Sequence, residues 1–342
     1  MRVLVTGGAG YIGSQTVRLL RRAGHDVVVL DNLDQGHPAA IGDARLVVGS
    51  IADRGVVRAL LADEGIEAVV HFAGLKAAGE SVADPARYLD VNVGGSLALL
   101  AEVDRARIGP FVFSSSCAVY GEPDRVPVDE TAGLSPTTPY GESKLLVEQA
   151  LPWYEERGLR SVALRYFNAA GAELDGSHGE DSPEPTNLFP IVVRAALGQG
   201  PAVEIFGSDY PTADGTAIRD YVHVVDLAEA HVAALAYLAD GGASVALNLG
   251  TGRGSSVRDV IGAVETASRR AVPATTTGRR AGDVAAIWAD PARAEATLGW
   301  RANLPLQAIA ESAVRWAELH PAGYEDRLEI TPRASLAGAD RG

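Results

Sequence analysis

The stretch Val3-Leu-Val-Thr-Gly-Gly-Ala-Gly-Tyr-Ile-Gly13 constrains the fold more than any other segment of the chain. A short apolar run leads straight into glycines, and a helical pattern follows. Gly7, Gly10 and Gly13 stand where a chain turning from strand to helix can bring its backbone against a pyrophosphate; Gly8 offers a second register of the same pattern. The amides opening the helix then face that anion. A plain turn can use the same glycines, so the context decides. The second apolar run ends in an acid, Asp31, 18 residues after Gly13. A carboxylate at that point accepts from a ribose diol and repels a 2′-phosphate. Asn32 follows it, and no arginine adjoins. Taken together, these features read as an NAD site and not an NADP site.

The rest of the first half repeats the unit. Apolar runs without alternation, at residues 3–5, 27–30, 46–48, 68–72, 111–113 and 162–164, read as strands buried on both faces. Helical stretches lie between them at 12–22, 55–63, 93–107 and 141–157. Repeated strand–helix units imply an α/β fold, a Rossmann-type doubly wound parallel sheet. The rhythm breaks after Asn168, where residues 170–187 are rich in Gly, Pro and acid and read as a loop. We therefore expect an NAD-binding domain over 1–168, a smaller C-terminal α/β substrate domain over 169–320, and a surface tail over 321–342. The segment 217–250 again reads as helix then buried strand, which allows it to return to the first sheet.

Composition narrows the function. The formal net charge is −14 and no Lys/Arg run occurs, which argues against nucleic acid as a partner. No stretch approaches the roughly 18 apolar residues of a membrane span. The single cysteine, Cys117, fits a reducing compartment, and the apolar N-terminal run is too short for a signal peptide. A cytoplasmic protein is the expectation. His71, His223 and His231 show no metal spacing and read as structural.

Two further loops follow strand ends, where open α/β sheets bind ligands: residues 71–81, containing Lys76, and 114–121, opening Ser114-Ser115-Ser116. Tyr140 and Lys144 lie one helical turn apart. A tyrosine with its ordinary pKa near 10 is too weak a base at neutral pH. A cation one turn away, with the charge of an oxidised nicotinamide, favours the phenolate.

The glycine pattern, Asp31, the serine loop and Tyr140-x-x-x-Lys144 resemble the extended short-chain dehydrogenase/reductase family. The stretches HFAGLKAAGES, FSSSCAVYG, PYGESK, RYFNAAGA, FGSDYPTADGTAIRDYVHV and GRRAGDVAAIWAD make the likeness closer. Over about residues 1–320 the chain is similar to the UDP-glucose 4-epimerases (UDP-galactose 4-epimerases). The resemblance implies that Tyr140 takes the proton of the sugar 4-hydroxyl and that bound NAD accepts the C4 hydride. The 4-keto sugar then turns and recovers the hydride on its other face. Lys144 would hold the nicotinamide ribose, and Ser116 would share the proton, although sequence separates it poorly from Ser114 and Ser115.

The resemblance also places cofactor contacts at Tyr11, Ile12, Ser50, Ile51, Phe72, Ala73, Gly74, Lys76, Asn92, Ser114 and Tyr166. UDP-sugar contacts would come from Asn168, Asn187, Leu188, Phe206, Arg219, Arg280, Asp283 and Ile287. Arginines fork onto diphosphate oxygens, and an aromatic face suits uracil. Bland alternatives stand beside two of these: Arg219 could pair with Asp220 or Asp226, and Phe206 could belong to the core. A homodimer through the helices at 93–107 and 141–157 is implied as well.

Two positions depart from the family pattern. Ser50 stands where an Asp usually contacts the adenine amine, which removes a charge worth about 1 kcal/mol. Ile287 stands at a gate beside the sugar C2 substituent and leaves UDP-N-acetylhexosamines and UDP-pentoses open as substrates. A dehydratase needs a carboxylate in the serine loop, and none occurs before Glu122. A decarboxylase lacks a clear carboxylate-recognition set. A silent NAD-binding protein would have lost the Tyr, Lys or Ser.

Overall fold

The structure, a computed structural model, describes residues 1–280 and 282–324. The chain begins β1 (Arg2–Thr6), α1 (Tyr11–Arg22), β2 (Asp26–Asp31), β3 (Arg45–Val48), α2 (Arg54–Asp63), β4 (Ala68–His71). It continues through helix Gly95–Arg105, β5 (Pro110–Ser116), helix Pro139–Glu155 and β6 (Arg160–Tyr166). The six apolar runs are thus the six strands. A seventh strand, Val245–Leu249, joins them beside β6. All seven are parallel, in the order Val245–Leu249, β6, β5, β4, β1, β2, β3. The order reverses between β1 and β4, which opens a crevice at the carboxyl edge there.

The strands are apolar throughout because both faces are covered. On one face Val3, Val5, Val27 and Val29 pack with Val17 and Leu20 of α1 and with Leu227, Leu235 and Leu238 of helix Val224–Ala239. On the other, Leu4, Val28, Leu30 and Val69 pack with α2 and with Leu99, Val103, Val147 and Leu151 of the two neighbouring helices. Each such side chain contributes about 1.5–3 kcal/mol by leaving water.

A third apolar cluster joins the helices Leu188–Leu197, Val257–Ser268 and Leu306–Leu319. Small sheets border it: Tyr221–His223 pairs with Asn168–Ala170, and Ile218–Arg219 lies between Ser255–Ser256 and Ala286–Ile287. Residues 170–187, read as a loop, run back over α1. Tyr11 Oη donates to Gly171 O (2.5 Å), Ser14 Oγ meets His178 Nε2 (2.9 Å), and Arg22 pairs with Glu173 (2.9 Å). The start of the expected tail is not loose. Tyr324 Oη meets His178 Nδ1 (2.6 Å) and its amide donates to Asp181 (2.9 Å). The remainder of that tail, 325–342, lies outside the described residues.

Candidate active site

A cleft of about 2770 Å3 follows the carboxyl edge of the sheet, where the loops after β1, β2, β4 and β5 meet residues 179–189, Arg280, residues 282–284 and Ile287. Its floor is the glycine loop. Gly7 has φ +69, and a Cβ there would fall 2.5 Å from the Ala73 amide nitrogen; a Cβ at Gly13 would fall 2.2 Å from Gly7 O. Glycine at 7 therefore lets the loop after β1 press against the loop after β4, and glycine at 13 lets the start of α1 close onto the loop after β1. A Cβ at Gly10 would meet protein only at Gly7 O, 3.4 Å away, so this side of the loop stands open. Gly10 caps α1 without a side chain, and the first amides of a helix have no intrahelical acceptor. The cradle fits a pyrophosphate.

Asp31 is 7% exposed. Its carboxylate accepts from the amides of Ala9 (2.9 Å) and Leu33 (2.8 Å). Burial pushes its pKa up, and these donors pull it part of the way back. One acceptor site per oxygen is left for a diol. Leu33 has φ 62, a strained conformation for leucine, which costs on the order of 1 kcal/mol. Asn32, Ser50 and Ile51 line the same end; Ser50 Oγ accepts from Ala52 N (3.2 Å).

Phe72, Ala73, Gly74 and Lys76 line the cleft after β4. Lys76 is not simply solvated, since its ammonium pairs with Glu180 across the cleft at 3.0 Å. Asn92 lies behind this loop and not in the lining. Its side chain is consumed by Leu75 N (2.7 Å), Leu75 O (3.0 Å) and Ser143 Oγ (2.9 Å). Ser114 is likewise set back, with its hydroxyl on Tyr166 Oη (2.6 Å) and its carbonyl on Lys144. Both position lining residues.

Tyr140 and Lys144 project from the start of helix Pro139–Glu155. Thr138 Oγ1 caps it through Gly141 N (3.1 Å), and Ser81 Oγ accepts from Tyr140 N (3.1 Å). Gly141 lets the helix seat on the serine loop, because a Cβ there would fall 2.5 Å from Ala118 O. Lys144 Nζ lies 5.9 Å from the Tyr140 ring centroid and donates to Ser114 O at 2.9 Å. Both side chains are buried. The expected lowering of the Tyr140 pKa is not achieved by the chain alone. Burial dominates and pushes the phenol up, and hydrogen bonding with Ser116 opposes this only in part. Burial also pulls the Lys144 ammonium down to about 8, with Glu148 acting against it. The chain has two lysines, Lys76 and Lys144, and both line the cleft.

At the other end stand Phe206, Arg219, Arg280 and Asp283. Phe206 is not core: it is 36% exposed, with the Arg280 guanidinium 5.3 Å from its ring centroid. Arg219 pairs with neither Asp220 nor Asp226. Its Nη1 donates to Ile218 O (2.8 Å) and Val284 O (2.9 Å), and Nη2 lies 3.7 Å from Asp283. Asp220 is buried and accepts from the Thr251 amide (2.9 Å), and Asp226 accepts from the Leu304 amide (3.0 Å). Asp283 also pairs with Arg280 at 2.9 Å. Between the two ends lie Ser116, Asn168, Asn187, Leu188 and Ile287. Ile287 is 6% exposed and packs with Val119, Leu145 and Phe167. Asn168 Nδ2 donates to Asp220 O (3.2 Å), and Asn187 Nδ2 to Glu180 (3.2 Å).

The histidines sit in protein contacts. His71 bridges Thr6 Oγ1 (2.7 Å) and Ser96 Oγ (2.8 Å), His223 caps its helix through Val225 N (3.1 Å), and His231 Nδ1 bonds Leu227 O (2.8 Å). Ser81 and Glu180 were not anticipated. Their partners are 59 and 104 residues away, and no local pattern marks such contacts.

The chain matches the model of the NAD dependent epimerase/dehydratase family over residues 3–250. It is 46% identical over 330 residues to a UDP-glucose 4-epimerase of Lacticaseibacillus casei, covering 96% of this chain and 100% of that one. It superposes with a TM-score of 0.91 on the crystal structure of the Bifidobacterium longum UDP-glucose 4-epimerase in complex with NAD+ and UDP. That pair is 40% identical, with 95% of this chain and 100% of that one covered. The Stenotrophomonas maltophila UDP-glucose 4-epimerase, with bound NAD and formylated UDP-arabinopyranose, also gives 0.91 at 43% identity, covering 94% and 99%. A cradle open at Gly10, a buried Asp31 carboxylate at the end of β2 and a full-length likeness lead to one assignment: this chain belongs to the NAD dependent epimerase/dehydratase family.

Proposed function

We propose that the chain interconverts UDP-glucose and UDP-galactose by inverting the sugar at C4. One observation carries the reading. A buried Tyr140–Lys144–Ser116 group ends a cleft whose far end offers two arginines and an aromatic face. When bound in the glycine cradle, NAD+ supplies a reversible hydride acceptor and a positive charge that favours the phenolate. Tyr140 Oη takes the proton from the 4-hydroxyl and returns it to the inverted oxygen. Lys144 holds its charge beside the phenol, and Ser116 Oγ shares the proton with Tyr140. Burial of this group excludes water from the oxidised sugar. Arg219 and Arg280 exchange the Asp283 carboxylate for diphosphate oxygens, and Phe206 takes the uracil. Asn168, Asn187 and Leu188 border the sugar, and Ile287 shapes the wall beside it.

UDP-N-acetylhexosamines and UDP-pentoses extend the reading, because Ile287 presents a buried aliphatic side chain with no hydroxyl at this wall. Among the described residues no helix is long and apolar enough to cross a membrane. A cytoplasmic location rests on the lone Cys117. A homodimer is supported by Leu97 and Trp153, 38% and 74% exposed on the helices Gly95–Arg105 and Pro139–Glu155.

The test is conversion of UDP-galactose to UDP-glucose by purified protein without added NAD. Turnover is expected, and no turnover even with NAD supplied rejects the reading. UDP-GlcNAc and UDP-xylose in the same assay measure what Ile287 admits.

A further inference from the structure

The reaction as described leaves unused a buried ion pair on the catalytic helix. Glu148 follows Lys144 by four residues, as Lys144 follows Tyr140, so the three side chains form one stripe along the helix. Each side chain of the stripe meets one member of the serine run that ends β5. Ser116 acts on the Tyr140 phenol to favour its ionised form, Lys144 takes the Ser114 carbonyl at 2.9 Å, and Ser115 Oγ donates to Glu148 Oε1. From β6, Arg165 Nε donates to both Glu148 oxygens at 3.0 and 3.1 Å. The Arg165 and Glu148 side chains are 6% and 8% exposed. Apolar residues of similar volume commonly stabilise such a position as well or better, so stability alone does not account for the pair.

We propose that Glu148 is a positioning residue for the reaction: it pins the serine strand to the catalytic helix and places a fixed negative charge one turn beyond Lys144. The inference rests on the assigned reaction but concerns the charge state of Lys144, which can be read without turnover. Burial pulls the Lys144 ammonium down to about 8, and Glu148 opposes that pull. Apart from Arg165, the other titratable groups around Lys144 carry no charge at neutral pH. His71 from β4 is held neutral with a pKa pushed down to about 3, Tyr166 from β6 is pushed up to about 12, and Tyr140 on the same helix is pushed up. Arg165 is a cation bound to Glu148. Gly74, whose loop approaches the ammonium from β4, brings no ionisable side chain to it.

With two lysines in the chain, titration of lysine 13Cε resonances in the purified holoenzyme gives two curves, and Lys76→Arg assigns them. Lys144 is expected to titrate near 8. Glu148→Gln should move it down by about one unit. If leaving Arg165 unpaired stops that variant folding, Glu148→Gln combined with Arg165→Met removes both charges and should give a smaller shift in the same direction, because the cation lost with Arg165 offsets part of the loss of Glu148. Ser115→Ala loosens the brace and keeps the charge, so it should lower kcat a few-fold with the curve unmoved. The alkaline limb of kcat against pH should follow Lys144 downward in the charge variants. A Lys144 curve that moves downward in neither variant overturns the inference. A shifted curve in the variants, with a native protein that fails to turn over UDP-galactose, upholds the coupling of Glu148 to Lys144 and rejects the assigned reaction.

Discussion

The two ends of the cleft are built differently. At the reacting end Tyr140 and Lys144 are 9% and 6% exposed, on a helix whose first turn is capped, seated and tied to the sheet. At the nucleotide end Arg280 has a 62% exposed side chain and pairs with Asp283, an acid of the same cleft. One end is held rigid by regular elements, as proton transfer requires. The other keeps its charges occupied with one another. Substitutions at the first end should therefore change kcat, and those at the second should change KM.

Lys144→Met is the harshest test of that division. We expect kcat to fall by about 10²–10³-fold with KM little changed; a loss confined to KM would break the comparison. Arg219→Met comes next. Losing one charge-assisted contact to diphosphate corresponds to about 10–100-fold in KM, with kcat within a few-fold, read from initial rates against UDP-galactose concentration. Phe206→Ala should raise KM about tenfold, and UDP should lose affinity in calorimetry by the same factor. Unchanged UDP affinity would move the uracil elsewhere.

The smallest effect concerns residues 170–187, which join the two ends. Burial holds the His178 pKa at about 3, against an ordinary value near 6.5. Between those values the unfolded chain binds a proton that the folded chain refuses. The stability from His178 is thus complete above pH ~6.5 and drains away as pH falls toward 3. His178→Gln should flatten the decline of Tm with acid by a few degrees, and parallel declines would contradict this.

The reacting end was the more legible in sequence because its spacings are local. Four residues make one helical turn, so Tyr140 and Lys144 share a face before any tertiary contact is known. Gly7 and Gly13 mark a turn that few other residues can make. Asn92 and Ser114 show the limit. Their positions match cofactor residues in kind, yet Asn92 spends its amide on Leu75 and Ser143, and Ser114 supports Tyr166 and Lys144. Residue type does not reveal whether a polar side chain faces the cleft or the loop behind it. The nucleotide end was harder to read. Arg219 chose Asp283, 64 residues on, over its neighbour Asp220, because the strand pairing of Ile218–Arg219 with Ala286–Ile287 sets that partner. Residues 170–187 read as a loop from composition, but their partners Tyr11, Ser14 and Lys76 lie more than a hundred residues away.

The central claim is that Tyr140 moves the C4 hydroxyl proton. The most direct measurement is kcat for UDP-galactose with Tyr140→Phe, with bound NAD quantified in the same preparation. A fall of at least about 10²-fold is expected with NAD content unchanged. Activity within threefold of the native enzyme would contradict it and assign the proton to another group.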